Sequence, residues 1–102
     1  MSDLDPLRRR YLELTKTELP ARARSRRWVI VNDHCMMRVI LDRLFGGCWY
    51  DHLDRSTAAY KQLDRDQLLR CIDMAERLLA DDGTLLTDWN RASLRWRGKS
   101  TD

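Results

Sequence analysis

The sequence predicts an all-α fold, a single compact domain of four to five helices around a central apolar helix at about residues 34–45. Apolar residues recur every three or four positions in several stretches, which is the spacing of an amphipathic helix. A β-branched apolar run occurs at 28–31, and no second segment offers it a convincing partner strand. The length of 102 residues suits one domain with one modest core.

Residues 1–20 are predicted to form an N-terminal amphipathic helix. Its apolar stripe steps by three, four and three positions through Leu4, Leu7, Tyr11 and Leu14. Asp5 and Pro6 supply a cap and a proline in the first turn. Pro20 is expected to interrupt this helix and to push Leu19 toward an extended backbone.

Residues 21–98 are predicted to form the helical core domain. A short helix follows Pro20, and 28–31 are expected to be a buried extended connector. Asn32 or Asp33 then caps the central helix, which is apolar almost all round and should therefore lie at the centre of the fold. Gly46 and Gly47 are predicted to end it.

The later elements follow from local signals. CWYDHL is expected to form one or two turns, and 54–63 a connector with Tyr60 and Leu63 tucked inward. Asp64 and Gln67 resemble a capping box for a helix that reaches about residue 80. The last helix has a stripe of Leu85, Trp89, Ala92 and Trp96, and residues 99–102 are expected to be a disordered tail.

Charge and composition narrow the class of protein. The net charge is +3, with basic ends and an acidic middle, because 1–31 carry eight Lys/Arg against four Asp/Glu and 51–82 carry five against eight. No apolar run approaches the roughly 20 residues of a membrane span, and no secretory leader is visible. The expected location is the cytoplasm, without a membrane partner. Four Gly and no phosphate-loop motif argue against a nucleotide-fold enzyme.

The chain's two histidines and two of its three cysteines fall close together, as His34, Cys35, Cys48 and His52. Cys48 and His52 are four apart and could share one helical face toward a zinc ion, which takes four such ligands. His34 and Cys35 are adjacent, so on a helix they diverge by about 100°. The same residues also fit buried apolar cysteines at the start of a capped helix, or a thiol nucleophile at Cys35. No cofactor is predicted, with zinc as the one candidate, and the structural interpretation is favoured.

Structural roles are predicted for a second group in the same region. Arg38 and Asp42 are four apart on the central helix and are expected to pair with each other. A mostly apolar helix must satisfy any charge that it buries. Asp33 is expected to cap this helix, and the Gly46-Gly47 turn to let Trp49 fold back onto it.

Two Arg-rich strips are candidate binding residues. The first comprises Arg22, Arg24, Arg26, Arg27 and Trp28, and the second contains Arg91 and Arg95 on one helical face. Arginines could contact phosphates and Trp28 could stack on a base, which makes nucleic acid a candidate partner. No reader motif accompanies them.

Large aromatic residues are numerous for so short a chain, namely Trp49, Tyr50, Trp89 and Trp96. Aromatics and Arg are enriched at the centres of protein interfaces. The leading function is therefore a non-enzymatic protein-interaction or self-association module, with a protein partner or a homo-oligomer. The alternatives are a nucleic-acid-associated protein that uses the Arg-rich strips, and a small metal-binding or thiol enzyme.

Residues 24–98 resemble a group of small bacterial proteins without an established function. The shared pattern is DHCxxRxxLD at 33–42, GxxW at 46–49, A-Y-x-x-L at 59–63 and N-x-x-S-L at 90–94. The resemblance implies a compact domain. Such proteins sometimes carry an acetyltransferase label, which would imply several strands and a Gly-rich acetyl-CoA loop. This sequence predicts neither of those two features.

Overall fold

The computed structural model describes residues 3–99, and within them the chain is helical and contains no strand. The α-helices are α1 (Asp5–Glu13), α2 (Leu19–Arg26), α3 (Asp33–Phe45), α4 (Arg65–Ala80) and α5 (Thr84–Trp96). A π-helical turn covers Leu14–Glu18, and 3₁₀ turns cover Trp49–Asp51 and Ala59–Gln62. The radius of gyration is 13.1 Å, the value of a compact domain of this length. The predicted all-α single domain is confirmed.

The chain stays helical from α1 through the π-helical turn into α2, so the predicted interruption at Pro20 is wrong. Leu19 has helical angles, φ −66° and ψ −47°, instead of an extended backbone. A proline inside a regular helix lacks an N–H and clashes with the carbonyl four residues earlier. The π-helical turn replaces that bonding pattern, and the Leu19 N–H reaches back to the Leu14 carbonyl. The predicted division after residue 20 thus lies within continuous helix.

α3 is the central helix, as predicted. It packs against α4, α5 and the π-helical turn, and it buries Met36, Val39, Ile40 and Leu41. Asn32 occupies the cap position, but its side chain makes no capping bond, and the Asp33 carboxylate accepts instead from the His34 backbone N–H at 2.8 Å. Gly46 ends the helix at φ +67°, where a glycine is favoured.

α4 begins at the predicted capping box. The Gln67 N–H donates to the Asp64 carboxylate at 2.8 Å, and the Asp64 N–H donates to the Gln67 side chain at 2.9 Å. The helix packs between α1 and α3. Its inner face buries five residues, Leu68, Cys71, Ile72, Ala75 and Leu78.

The connector at 28–31 differs from the prediction, since it is buried only in part. Trp28 is 9% exposed, whereas Val29 is 58% exposed. Trp28 lies against the turn before α5, where Gly83 has a φ of +108°. A Cβ at Gly83 would come within 2.7 Å of the Trp28 ring, so the indole occupies the space that this glycine leaves.

The buried face of α5 is rotated from the predicted stripe. Trp89 and Ala92 are buried as expected, but Trp96 is 40% exposed. Asn90 and Ser93 are buried instead, because polar groups of α3 need partners there. After α5, the Lys99 N–H donates to the Leu94 carbonyl. The rest of the predicted tail, 100–102, lies outside the described residues.

Candidate functional site

A buried carboxylate on α3 organises the contact between α3 and α5. Asp42 is 0% exposed and accepts from Arg97 at 2.8 and 3.1 Å. It also accepts from the Ser93 hydroxyl at 2.6 Å. The two Arg97 bonds form the forked guanidinium–carboxylate contact, which is stronger than a neutral hydrogen bond. The hydrogen bond to Asp42 raises the pKa of Arg97 above its usual value, so Arg97 stays charged.

Arg38 joins this arrangement from the same helix. Its guanidinium donates to the Ser93 hydroxyl and to the Asn90 side-chain oxygen, both at 2.7 Å. The predicted direct pairing of Arg38 with Asp42 is therefore wrong, because the Ser93 hydroxyl bridges the two and Arg97 neutralises the carboxylate. We name Asp42, Arg38, Asn90, Ser93 and Arg97 the Asp42 cluster.

The Asp42 cluster also positions the segment after α3. The Trp49 backbone N–H donates to the Asp42 carboxylate at 2.9 Å, so Trp49 folds back onto α3 as predicted. The neighbouring Tyr50 ring carries the Arg55 guanidinium 3.9 Å from its centroid and that of Arg97 at 4.7 Å. Such cation–π contacts orient both the ring and the cations.

A groove of about 550 Å³ opens beside this segment, and we call it the α3 groove. The first half of α3, the π-helical turn and residues 49–60 form its walls. Its chemistry is carried by Lys16, Cys35, Arg38, Trp49, Tyr50 and Arg55. Asp33 is the one carboxylate among the described residues that line it. The groove is thus cationic and rich in aromatic rings.

Tyr11 and Tyr60 also line the α3 groove, with ring centroids 6.5 Å apart. Tyr11 is 0% exposed, and its buried hydroxyl has no hydrogen-bond partner among the described residues. Burial raises the pKa of Tyr11 well above its ordinary value, and the nearby Cys71 thiol raises it further. Tyr11 therefore contributes a neutral, buried ring to the lining of the groove.

The four predicted metal ligands do not come together. The part of the chain that the structure describes contains no group of three or more His, Cys, Asp or Glu placed to hold an ion. The His34 side chain is 93% exposed and lies 3.9 Å from Asp33, while His52 stacks on Phe45 with centroids 4.6 Å apart. Cys35 lines the α3 groove, and Cys48 precedes the 3₁₀ turn. The predicted four-residue site is therefore wrong.

The first Arg-rich strip divides into structural and exposed members. Arg22 donates to the Leu79 carbonyl at 3.1 Å and thereby ties α2 to the end of α4. Trp28 is buried, so its predicted role as a stacking ring is wrong. Of the arginines predicted to bind in the two strips, Arg24, Arg26, Arg27, Arg91 and Arg95 are exposed and have no ion pair among residues 3–99.

Several important residues were not identified from the sequence. Asn90, Ser93 and Arg97 are spaced by three and four, so they form a polar stripe on α5 that periodicity could have shown. Lys16 lies in a π-helical turn, which has no reliable sequence signature, and Arg55 lies in a segment without periodic pattern. Their meeting in one groove depends on the tertiary fold.

Comparison of the chain with protein-family models, with curated proteins and with solved structures finds no match. The resemblance to small bacterial proteins therefore stays a prediction. Among residues 3–99, no helix combines the length and the apolar character that crossing a membrane requires.

Proposed function

We propose that this protein is a non-enzymatic protein-interaction module whose α3 groove binds an acidic segment of a partner protein. One observation carries the proposal: the groove collects Lys16, Arg38 and Arg55 around aromatic rings, and none of the three has an ion-pair partner among the described residues. A carboxylate-bearing ligand would supply the missing charge.

The composition of the groove favours a polypeptide as the ligand. Trp, Tyr and Arg are the residues that most often dominate the binding energy of protein interfaces. Trp49, Tyr50 and Arg55 lie together on the segment that forms one wall. The cations are distributed over three separate elements, which suits a ligand with several acidic groups along a chain.

The alternatives find less support in the geometry. A thiol enzyme would need a base held against Cys35, and within the described residues no hydrogen bond joins Cys35 to His34. A nucleic-acid interface would use stacking rings beside the arginines. Trp28, the ring in the first Arg-rich strip, is buried under the Gly83 turn.

The test is a fluorescence-anisotropy titration with a labelled peptide of alternating Glu and Leu residues. Its counterpart with Gln in place of Glu is the uncharged control. We expect the acidic peptide to bind, and Arg55→Glu to weaken that binding about tenfold, equal to about 1.4 kcal/mol. Arg91→Glu makes the same charge change on an exposed α5 residue outside the groove and should preserve most of the affinity.

Backbone-amide chemical shifts measured during the titration would locate the bound peptide. The proposal requires the largest shifts at Cys35, Tyr50 and Arg55. Equal weakening by Arg55→Glu and Arg91→Glu would reduce the effect to net charge and refute a defined groove. Displacement of the peptide by equimolar citrate would identify a small-acid site instead of a protein-binding one.

A further inference from the structure

The outward face of α4 has a regular alternation of charge. Asp66 pairs with Arg70 at 3.0 Å, and Asp73 pairs with Arg77 at 2.9 Å, each across one helical turn. All four side chains are between 61% and 72% exposed. We define the α4 outer face as these four residues with Leu69 and Met74. It shares no residue with the α3 groove.

A shallow concavity of about 500 Å³ accompanies this face. Leu69 and Met74 border it from α4, and Leu44 and Trp89 border it from α3 and α5. Leu69 is 44% exposed and is one of four large apolar residues that are exposed among residues 3–99. Arg43 lies 5.0 Å over the Trp89 ring and has no ion-pair partner among residues 3–99. The α4 outer face therefore combines exposed apolar surface with ordered charge.

The order and the spacing of these charges would place opposite charges level with each other if two copies of α4 packed antiparallel. Along the four charged residues of the α4 outer face the signs read minus, plus, minus, plus, with spacings of four, three and four, while Glu76 pairs with Arg10 of α1. In an antiparallel pair of α4 helices, Asp66 would lie level with Arg77 of the second copy, and Arg70 level with Asp73. Leu69 would then lie level with Met74. A parallel pair in the same register would place like charges together, which is destabilising.

We propose that the α4 outer face is a self-association surface, on which a second copy of this chain docks with its α4 antiparallel. The twofold axis would run between the two outer faces, at the height of the step from Cys71 to Ile72 along the helix. A twofold contact uses the same patch on both copies, and this patch meets that requirement. The inference does not depend on the proposed function of the α3 groove.

The energetics indicate a weak and salt-sensitive dimer. Exposed ion pairs within one helix contribute little by themselves. The second copy gives each carboxylate a second guanidinium and each guanidinium a second carboxylate, while Leu69 and Met74 lose contact with water. Salt screens exposed charges, so the dissociation constant should rise with ionic strength.

Sedimentation velocity over a range of protein concentrations tests the proposal. The full chain should shift from monomer to dimer as its concentration rises, and added salt should shift it back. Two variants remove the complementarity in opposite senses: Asp66→Lys with Asp73→Lys leaves four cations, and Arg70→Glu with Arg77→Glu leaves four anions. Each variant alone should be monomeric at concentrations at which the unaltered chain is dimeric.

Mixing the two variants supplies the decisive measurement. An equimolar mixture should form a heterodimer, because each of the four cations of one variant then lies opposite an anion of the other. Circular dichroism of each variant checks that it is folded, and Asp88→Lys, an exposed change on α5, should dimerise as the unaltered chain does. A chain that stays monomeric at low salt, or folded variants that fail to pair when mixed, would overturn the proposal.

Discussion

The Asp42 cluster and the α3 groove both include residues of α3, and both contain arginine and aspartate side chains. Their charges are balanced differently. In the cluster, the Asp42 carboxylate accepts hydrogen bonds from the Arg97 guanidinium, the Ser93 hydroxyl and the Trp49 N–H. In the groove, Lys16 and Arg55 have no carboxylate against them in the described part of the chain. An arginine is therefore structural or available for binding according to what the tertiary fold sets opposite it. Arg38 belongs to both regions, since α5 takes its hydrogen bonds while its side chain borders the groove.

The largest expected effect comes from opening the Asp42 cluster. Asp42→Ala should lower the free energy of unfolding by about 3 kcal/mol, because the partly buried Arg97 guanidinium loses its counter-charge. Asp33→Ala is the matched change in the α3 groove, and it should lower the free energy of unfolding by less than about 1 kcal/mol. Urea denaturation of both variants measures the difference. Similar losses would contradict the distinction between a closed cluster and an open groove.

A smaller loss is expected when the bridge in the cluster is removed. Ser93→Ala takes away the hydroxyl that joins Arg38 to Asp42, and one unmet hydrogen bond at a buried site costs about 1–3 kcal/mol. Ser25→Ala, on the exposed side of α2, should stay within about 0.5 kcal/mol of the unaltered chain. Thermal melting monitored by the circular dichroism signal of the helices would rank the two variants. Equal melting temperatures would show that the bridge is dispensable.

The buried core and the groove should also differ in how their cysteines respond to pH. Burial raises the pKa of Cys71 from 9.0 to about 12, whereas Cys35 is half-buried at the groove. Well below pH 9 the Cys71 thiol is protonated in both the folded and the unfolded state, so its contribution to stability is constant. Between pH 9 and 10 the unfolded chain loses this proton first, and the free energy of unfolding should fall by up to about 1.4 kcal/mol. Urea titrations across this range should show a shallower decline in Cys71→Ala, and an unchanged slope would assign the decline to other groups.

The smallest effect on stability is expected at the groove. Arg55→Ala should change the free energy of unfolding by less than about 0.5 kcal/mol, because the side chain is exposed and makes one cation–π contact with Tyr50. The same variant should bind the acidic peptide more weakly than the unaltered chain does. Parallel urea and anisotropy measurements separate the two properties. A large loss of stability would place Arg55 among the structural residues.

Local signals predicted the elements of this fold well, because they act over one helical turn. The Asp64–Gln67 capping box and the Gly46 stop determine their helix ends from neighbouring residues alone. The site was predicted poorly, since its geometry depends on distant pairings. Asp42 meets Arg97 at a separation of 55 positions, and a nearer partner, Arg38, looked adequate from spacing. Trp28 was misassigned for the same reason, because its cover is the remote Gly83 turn.

The π-helical turn at Leu14–Glu18 makes the number of residues between Leu14 and Leu19 depend on the presence of Pro20. Leu14 and Leu19 are both 0% exposed although five positions separate them, and a regular α-helix would rotate them about 140° apart. Deleting the exposed Thr17 would leave four positions, which an ordinary helix keeps on one face. That shorter helix would bring the proline ring against a carbonyl, at a cost of about 3 kcal/mol. Over evolutionary time, loss of one residue between Leu14 and Leu19 should therefore be tolerated only where Pro20 is replaced as well.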